Sequence, residues 1–316
     1  MKTVILDGYR ENPGDLSWEW LKEYGEYVVH DTTKAAETAG RITDADIVFT
    51  NKTVINKASL EQAKNLKYIV VLAAGYDVVD IKTAKELGIK VSNTPNYGSS
   101  EVAQMAFAHI LEITNNVGLH CASVKSNGWY KENDWCYWLK PIISLKNKNI
   151  GIIGFGNIGR QVGKIAAAFG MNVYVCEKMP VDDPTVKNVS LDELLKNADI
   201  ITCHCPLTDE TRHIIRKENI AKMKDGVIII NNARGPLINK ADLLEAVASK
   251  KIYAVGLDVV EAEPPKENDE VILCEGINVT PHISWAAFEA RQNIMTICQN
   301  NMKAFAAGKD LNVVNL

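Results

Sequence analysis

Short β-branched apolar runs alternate with stretches of helical period along most of the chain. In the first third, TVILD (3–7), YVVHD (27–31), ADIVFT (45–50), KYIVVLA (67–73) and IKVSN (89–93) read as strands. Between them DLSWEWLKEYG, TTKAAETAG, SLEQAKNL and DIKTAKELG read as helices, several ending at a Gly suited to a helix C-terminus. Such an alternation predicts a parallel sheet with helices on both faces.

From Glu101 the stretch EVAQMAFAHILEITNNV reads as one long helix, followed by an aromatic-rich polar segment, NGWYKENDWCYWLKP, with Trp129, Trp135 and Trp138. A second array then begins. NIGIIG (149–154), MNVYVCE (171–177), ADIITCHC (198–205), GVIIINN (226–232), YAVGLDVV (253–260) and INVTPH (277–282) read as strands, separated by helical patterns such as SLDELLKNA and KADLLEAVASKK. A last helix, from about Trp285 through Ala307, follows the completed array and is long enough to cross back to the first domain. The expected domains are therefore discontinuous, 1–98 with 286–316, and 99–285 inserted between them.

Composition narrows the function classes. The 316 residues suffice for two domains of ordinary size. With 35 Lys and Arg against 39 Asp and Glu, and no block of like charges, there is no electrostatic footprint for nucleic acid. The apolar run at Val4–Leu6 is too short for a signal-peptide core, and no stretch approaches the ~20 residues of a membrane span. A soluble, cytoplasmic protein without nucleic-acid or membrane partners is expected. Seven cysteines, an odd number with no CxxC pair, read as reduced and mostly buried. Cys203, His204 and Cys205 do not make a metal site, because on a strand the His opposes the two Cys and no second ligand cluster lies nearby.

The sequence IGIIGFGNIGRQVGKIAAAFG changes the picture. Gly154-x-Gly156-x-x-Gly159 follows a strand, opens a helix and precedes a second strand ending in Glu177. In that context it is a dinucleotide site: Gly154 for the tight turn, Gly156 for the approach of a pyrophosphate, Gly159 for helix–sheet packing. Exposed N–H groups at the helix start, around Asn157 and Ile158, supply the anion site. Glu177 can accept hydrogen bonds from the adenosine ribose and repels a 2′-phosphate, favouring NAD over NADP, although Lys178 beside it works the other way.

Three polar residues follow strands of the second array, where an open α/β sheet places its ligand crevice. Arg234 follows VIIINNA, Glu263 follows YAVGLDVVEA, and His282 follows INVTP. Over essentially its whole length the chain resembles the D-isomer-specific 2-hydroxyacid dehydrogenases, through GFGNIGRQVG, NNARGPLIN, GLDVVEAEPP and TPHISWA, which look like that family's four signatures in order and spacing. The resemblance implies a flavodoxin-like substrate domain and a Rossmann NAD domain with the cleft between them. It makes Arg234 the substrate-binding arginine, Glu263 the acid paired with the histidine, and His282 the proton donor. AAGYDVVD (73–80) matches the loop that holds the substrate carboxylate through backbone N–H groups, here of Ala74 and Gly75. Asp258 matches a position near the nicotinamide, and Cys205 and Pro206 one on the adenosine side; Asn232 and Ala233, just ahead of Arg234, are counted with the cofactor site.

The chemistry of that assignment is coherent. Arg234 can fork onto the carboxylate and carbonyl of a 2-keto acid. Hydride from NADH adds to C2, and an imidazolium at the carbonyl oxygen stabilises the charge and donates the proton. A carboxylate beside His282 favours its charged form and fixes which nitrogen faces the substrate. The opening LDGYRENPGDLSW and the closing HISWAAFEARQNI resemble the bacterial glycerate dehydrogenase (hydroxypyruvate reductase) branch, in which Trp follows the catalytic histidine by three, as Trp285 does. Hydroxypyruvate and glyoxylate are the expected keto substrates, with Trp285 either touching substrate or anchoring between domains.

Phosphoglycerate dehydrogenases are similar too, but many add a regulatory domain for which this length leaves no room, and 73–100 has no basic cluster for a phosphate. A D-lactate-type enzyme of the same family and a non-catalytic NAD-sensing co-repressor are also compatible with these motifs. The resemblance further implies a homodimer through the NAD domain, with the hypothesis that Trp135 or Trp138 reaches the partner's cleft.

Overall fold

The computed structural model describes all 316 residues. They form two compact units, Met1–Gly98 with Ala286–Leu316, and Ser99–Trp285. Each is built on one wholly parallel sheet.

The first unit contains β1 (Lys2–Ile5), β2 (Glu26–Val29), β3 (Ile47–Thr50), β4 (Tyr68–Val71) and β5 (Lys90–Ser92), in the spatial order β2-β1-β3-β4-β5. This is the flavodoxin-like order. Strands β3 and β4 are buried along their whole length, which is why they read as unbroken apolar runs. Val4, Val48, Ile69 and Val91 pack with Ile42, Leu60 and Ala84 on one side of the sheet. The helix Phe288–Ala306 belongs to this unit: Phe305 stacks on Tyr68 with ring centroids 4.2 Å apart. Arg291, on the same helix, forks onto Asp15 through two 2.7 Å hydrogen bonds.

Two helical expectations are corrected here. DLSWEWLKEYG forms a 3₁₀ helix, Glu19–Tyr24, rather than an α-helix. Its buried residues Trp18 and Leu21 are three apart, a spacing that a three-residue turn aligns. It stops at Gly25, where a Cβ would stand 2.2 Å from the Met1 carbonyl oxygen. TTKAAETAG likewise divides into a 3₁₀ turn, Ala35–Glu37, and a helix, Thr38–Ile42.

The second unit contains β6 (Asn149–Ile153), β7 (Asn172–Cys176), β8 (Val186–Asn188), β9 (Ile200–Cys203), β10 (Val227–Asn231), β11 (Ile252–Leu257) and β12 (Ile277–Val279), ordered β12-β11-β10-β9-β6-β7-β8. Successive residues feed opposite faces. Ile150, Ile152, Ile228 and Ile230 pack with Phe107, Ile110 and Val162, whereas Ile153, Ile201, Ile229 and Val255 pack with Leu194, Ile220 and Leu243. From β6 the chain builds outward to β7 and β8, then crosses to β9 and builds the other way. The crevice between the carboxyl ends of β6 and β9 is therefore the topological switch point.

The long helix spans Ser99–Asn115 and breaks at Asn116, whose φ is +51°, before restarting as Val117–Lys125. Asn tolerates that left-handed backbone better than most residues. No residue of Val117–Lys125 or of the short helix Gly128–Glu132 is buried, and Trp135 and Trp138 are 90% and 68% exposed. The expectation of mostly buried cysteines is corrected by the same segment. Cys121 and Cys136 lie on it and are exposed, and only Cys203, Cys205 and Cys298 are buried; all seven are unpaired. No helix is long and apolar enough to cross a membrane.

Candidate active site

Sheet register gathers the loops of the second unit. Ile153 pairs with Cys176 and Cys203, Cys203 with Asn231, Asn231 with Leu257, and Leu257 with Val279. Six strands thus end level with one another, and the residues that follow share one edge: Gly154, Glu177, His204, Asn232, Asp258 and Thr280. Arg234, Glu263 and His282 stand on three of these loops.

The glycine-rich loop meets the requirements of a dinucleotide site. Gly154 has φ +91°, and a Cβ on it would lie 2.6 Å from the Cys205 amide nitrogen, so Cys205 closes directly on the turn. A Cβ on Gly159 would lie 2.3 Å from the Gly154 carbonyl oxygen. Those two glycines are demanded by the protein's own atoms, but a Cβ on Gly156 would meet nothing within 4 Å. Gly156 instead leaves open space ahead of the helix Asn157–Ala168, where N–H groups and dipole favour an anion. Glu177 locks the loop from behind: its Oε2 accepts the Phe155 N–H at 2.7 Å and its Oε1 the Lys178 N–H at 2.8 Å. The Phe155 bond above all holds the Glu177 carboxyl below its ordinary range. The Lys178 ammonium is engaged by Glu210. Pro206 follows Cys205, its carbonyl accepting the Thr211 hydroxyl at 2.6 Å. His204 turns away from the two cysteines flanking it, its Nε2 lying 2.8 Å from the Thr202 hydroxyl on the same strand face.

Glu263 and His282, 19 residues apart in sequence, meet directly. Nδ1 of His282 lies 2.6 Å from Oε2 of Glu263, with 26% and 34% of the side chains exposed. The other carboxylate oxygen accepts the Val260 N–H at 3.0 Å, tying Glu263 to its own loop. Because the carboxylate is the acceptor, Nδ1 carries the proton of this bond and Nε2 is left for chemistry. Arg234 is braced from the loop after β10: Asn231 donates to its carbonyl at 2.9 Å, and its own Nη1 donates to the Ala233 carbonyl at 2.8 Å. Gly235 lets this loop lie against the one carrying Glu263, since a Cβ would fall 1.9 Å from the Val260 carbonyl oxygen.

The backbone of His282 is itself unusual, with φ +55°, a region few non-glycine residues occupy unless the surroundings enforce it. Asp258, 1% exposed, does the enforcing. Its Oδ1 accepts the Thr280 hydroxyl at 2.5 Å and the Ile283 N–H at 2.9 Å, and its Oδ2 the Ser284 N–H at 2.8 Å. One buried carboxylate therefore brackets the histidine from both sides. Asn232 adds a second brace, donating to the Ser284 hydroxyl at 2.8 Å, while its own Oδ1 is buried without a partner. Trp285 donates its indole N–H to the His282 carbonyl at 2.9 Å.

Thr280 and Ser284 carry no sequence signal beyond their place within TPHIS. Ala74 and Gly75 lie on the loop after β4 of the first unit, where Asn93 donates to the Ala74 carbonyl at 2.7 Å.

Residues 107–284 match the NAD binding domain of the D-isomer specific 2-hydroxyacid dehydrogenases. The chain is 50% identical to a hydroxypyruvate reductase of Blautia hydrogenotrophica, with 100% of both chains covered. It is 36% identical to a glycerate dehydrogenase of Methylorubrum extorquens over 99% of this chain and 98% of that one. Among solved structures, the TT0316 protein of Thermus thermophilus is similar with a TM-score of 0.87 and 30% identity, over 99% of this chain and 100% of that one.

Proposed function

The chain belongs to the D-isomer specific 2-hydroxyacid dehydrogenase family, and from that premise we propose that it reduces hydroxypyruvate to D-glycerate, and glyoxylate to glycolate, at the expense of NADH. The observation that carries the reading is the 2.6 Å contact of His282 Nδ1 with Glu263, on loops at the same sheet edge as Arg234 and the glycine-rich turn. The relatives named hydroxypyruvate reductase and glycerate dehydrogenase support the substrate.

In this reading the nicotinamide, when bound, supplies the hydride that adds to the substrate C2. Arg234 receives the substrate carboxylate and carbonyl with a permanent charge in fixed geometry. As charge builds on the carbonyl oxygen, protonated His282 stabilises it and delivers the proton from Nε2. Glu263 holds the ring by Nδ1 throughout and compensates its positive charge. In the reverse direction the neutral imidazole removes the hydroxyl proton.

Gly154, Gly156, Asn157, Ile158 and Gly159 are assigned to the pyrophosphate, Glu177, Cys205 and Pro206 to the adenosine side, and Asn232, Ala233 and Asp258 to the nicotinamide side. NAD is preferred to NADP in this proposal because the Glu177 carboxylate would repel a 2′-phosphate and Lys178 is paired with Glu210 rather than offered to one. The assembly proposed is a homodimer through the second unit, since Trp135 and Trp138 would otherwise leave large apolar surfaces in water. A reducing, cytoplasmic compartment suits seven unpaired cysteines.

The deciding experiment is NADH oxidation with hydroxypyruvate, glyoxylate, pyruvate and phosphohydroxypyruvate, repeated with NADPH. Hydroxypyruvate should give the highest kcat/KM. Pyruvate or phosphohydroxypyruvate exceeding it by roughly tenfold would overturn the substrate assignment, and tight NADH binding with no turnover of any keto acid would overturn catalysis itself.

A further inference from the structure

The contacts behind His282 do not end at Asp258. On the far side of the Thr280 hydroxyl, 3.2 Å away, lies Nε2 of His109. His109 projects from the helix Ser99–Asn115 and is 5% exposed. It fits against the sheet because Gly256 of β11 has no side chain: a Cβ there would stand 2.6 Å from the His109 Cβ. An apolar residue would fill the same space without requiring a partner, so a buried imidazole at this point has to be accounted for through the bond it makes.

Proton counting gives that bond a direction. Asp258 already accepts the N–H groups of Ile283 and Ser284, and its Oδ1 stands 2.5 Å from the Thr280 oxygen. The single hydroxyl proton of Thr280 is therefore committed to Asp258, leaving only lone pairs for His109, whose Nε2 must carry a proton. Burial favours the neutral His109 ring more strongly than Asp258 opposes it. The one ring proton accordingly sits on Nε2.

We infer that His109 and Thr280 are positioning residues, the outer links of a half-buried chain from His109 Nε2–H to the Thr280 hydroxyl to the Asp258 carboxylate that holds the His282 loop in its left-handed conformation. The inference rests on the functional reading above only in naming His282 the proton donor. A buried carboxylate is tolerated to the extent that donors surround it. If the hydroxyl is withdrawn, Asp258 gains by turning toward water, which releases the Ile283 and Ser284 amides and lets His282 relax to an ordinary backbone angle. His109 acts one step further out, keeping the Thr280 hydroxyl aimed at Asp258.

Two pairs of variants test this. Thr280→Val removes the hydroxyl at nearly constant shape and Thr280→Ser restores it; His109→Leu removes the donor and His109→Gln keeps one at similar reach. With hydroxypyruvate, Thr280→Val should lower kcat by about 10- to 100-fold and His109→Leu by about 3- to 10-fold. The NADH dissociation constant should change several-fold less than kcat, since the glycine-rich loop and the adenosine side are untouched and only Asp258, on the nicotinamide side, is disturbed, and Ser and Gln should recover most of the loss. Independently of turnover, the downfield proton resonance of His282 Nδ1–H, shared with Glu263, should shift or broaden in Thr280→Val and persist in Thr280→Ser. An unchanged kcat and resonance in Thr280→Val, or equal damage from Val and Ser, would overturn the inference. If the wild type reduces no 2-keto acid while the resonance still distinguishes Val from Ser, the functional reading fails and the positioning chain stands.

Discussion

Glu11 offers the sharpest test of how the first unit is held together. It ends the helix Gly8–Glu11 with its side chain fully buried, and neither carboxyl oxygen has a hydrogen-bond partner. The nearby Arg291 spends its guanidinium elsewhere, on Asp15 and on the Glu11 backbone carbonyl at 3.1 Å. Burial is the main reason the Glu11 carboxyl is pushed up to about 9, with Arg291 opposing and Asp15 and Asp7 assisting. The folded protein therefore keeps a proton on Glu11 across the neutral range, whereas the unfolded chain loses it near the ordinary value of 4.5. Between those limits the folded state binds one proton more than the unfolded state. Stability from this group then falls as pH rises, by about 1.4 kcal/mol per pH unit, and is level below the lower limit and above the upper one.

Glu11→Gln removes that titration while keeping size and neutrality. The amide has no better partners than the acid, so the variant starts from a roughly constant penalty of about 1–3 kcal/mol. The slope is the measurement. From pH 6 to pH 8 the wild type should lose about 3 kcal/mol relative to Glu11→Gln, enough for the variant to match or exceed it at the upper end. Urea-dependent hydrogen exchange of amides in β1 and β3 isolates the opening of this unit from the second one. Parallel pH dependence in the two proteins would refute the reasoning, because it would mean that Glu11 is already ionised in the folded chain.

The remaining predictions concern the second unit. His282→Ala should bind NADH normally and lose turnover by about 10²–10⁴-fold, and Glu263→Gln by about 10²-fold, both read by steady-state kinetics with hydroxypyruvate; wild-type rates in His282→Ala would remove it from the mechanism. Glu177→Ala should raise the NADPH/NADH ratio of kcat/KM by about tenfold, and adding Glu210→Ala, which frees Lys178, should raise it further; an unchanged ratio would place cofactor choice elsewhere. Gly235→Ala should reduce kcat/KM by at least about 10²-fold, since a Cβ 1.9 Å from the Val260 carbonyl oxygen forces the Arg234 and Glu263 loops apart; a wild-type value would show that those loops can give way without harm. Light scattering should give a dimer mass for the wild type and a monomer-shifted mass for Trp135→Ala/Trp138→Ala, while a monomeric wild type would exclude the proposed interface. If neither tryptophan nears a partner's active site, the KM for hydroxypyruvate will be unchanged in any dimer that survives.

What can be read from the sequence, and what cannot, divides along a physical line. Runs such as IVFT and VIIIN are legible because a strand buried on both faces of a parallel sheet has little choice but to be apolar throughout. β8 is not legible because a three-residue edge strand, Val186–Asn188, needs no such run: it pairs with β7, sets Lys187 over the Tyr174 ring, and leaves Lys187 and Asn188 exposed. The helix Val117–Lys125 beyond Asn116 is hidden for a related reason, since none of its residues is buried and it needs no apolar period.

Within the site, Gly154-x-Gly156-x-x-Gly159 and the positions of Arg234, Glu263 and His282 after strands are local signals. What holds them is not. Asp258 lies 22 to 26 residues from the groups it accepts, His109 lies 171 residues from Thr280, and Asn232 lies 52 from Ser284. Each of these residues taken singly is an ordinary buried polar side chain. Only the level ends of β10, β11 and β12 reveal that they converge on one loop, and that the φ of +55° at His282 is sustained by a buried carboxylate. The chemistry is visible in sequence because reacting groups must be particular residue types; the positioning is not, because any suitably placed donor would serve.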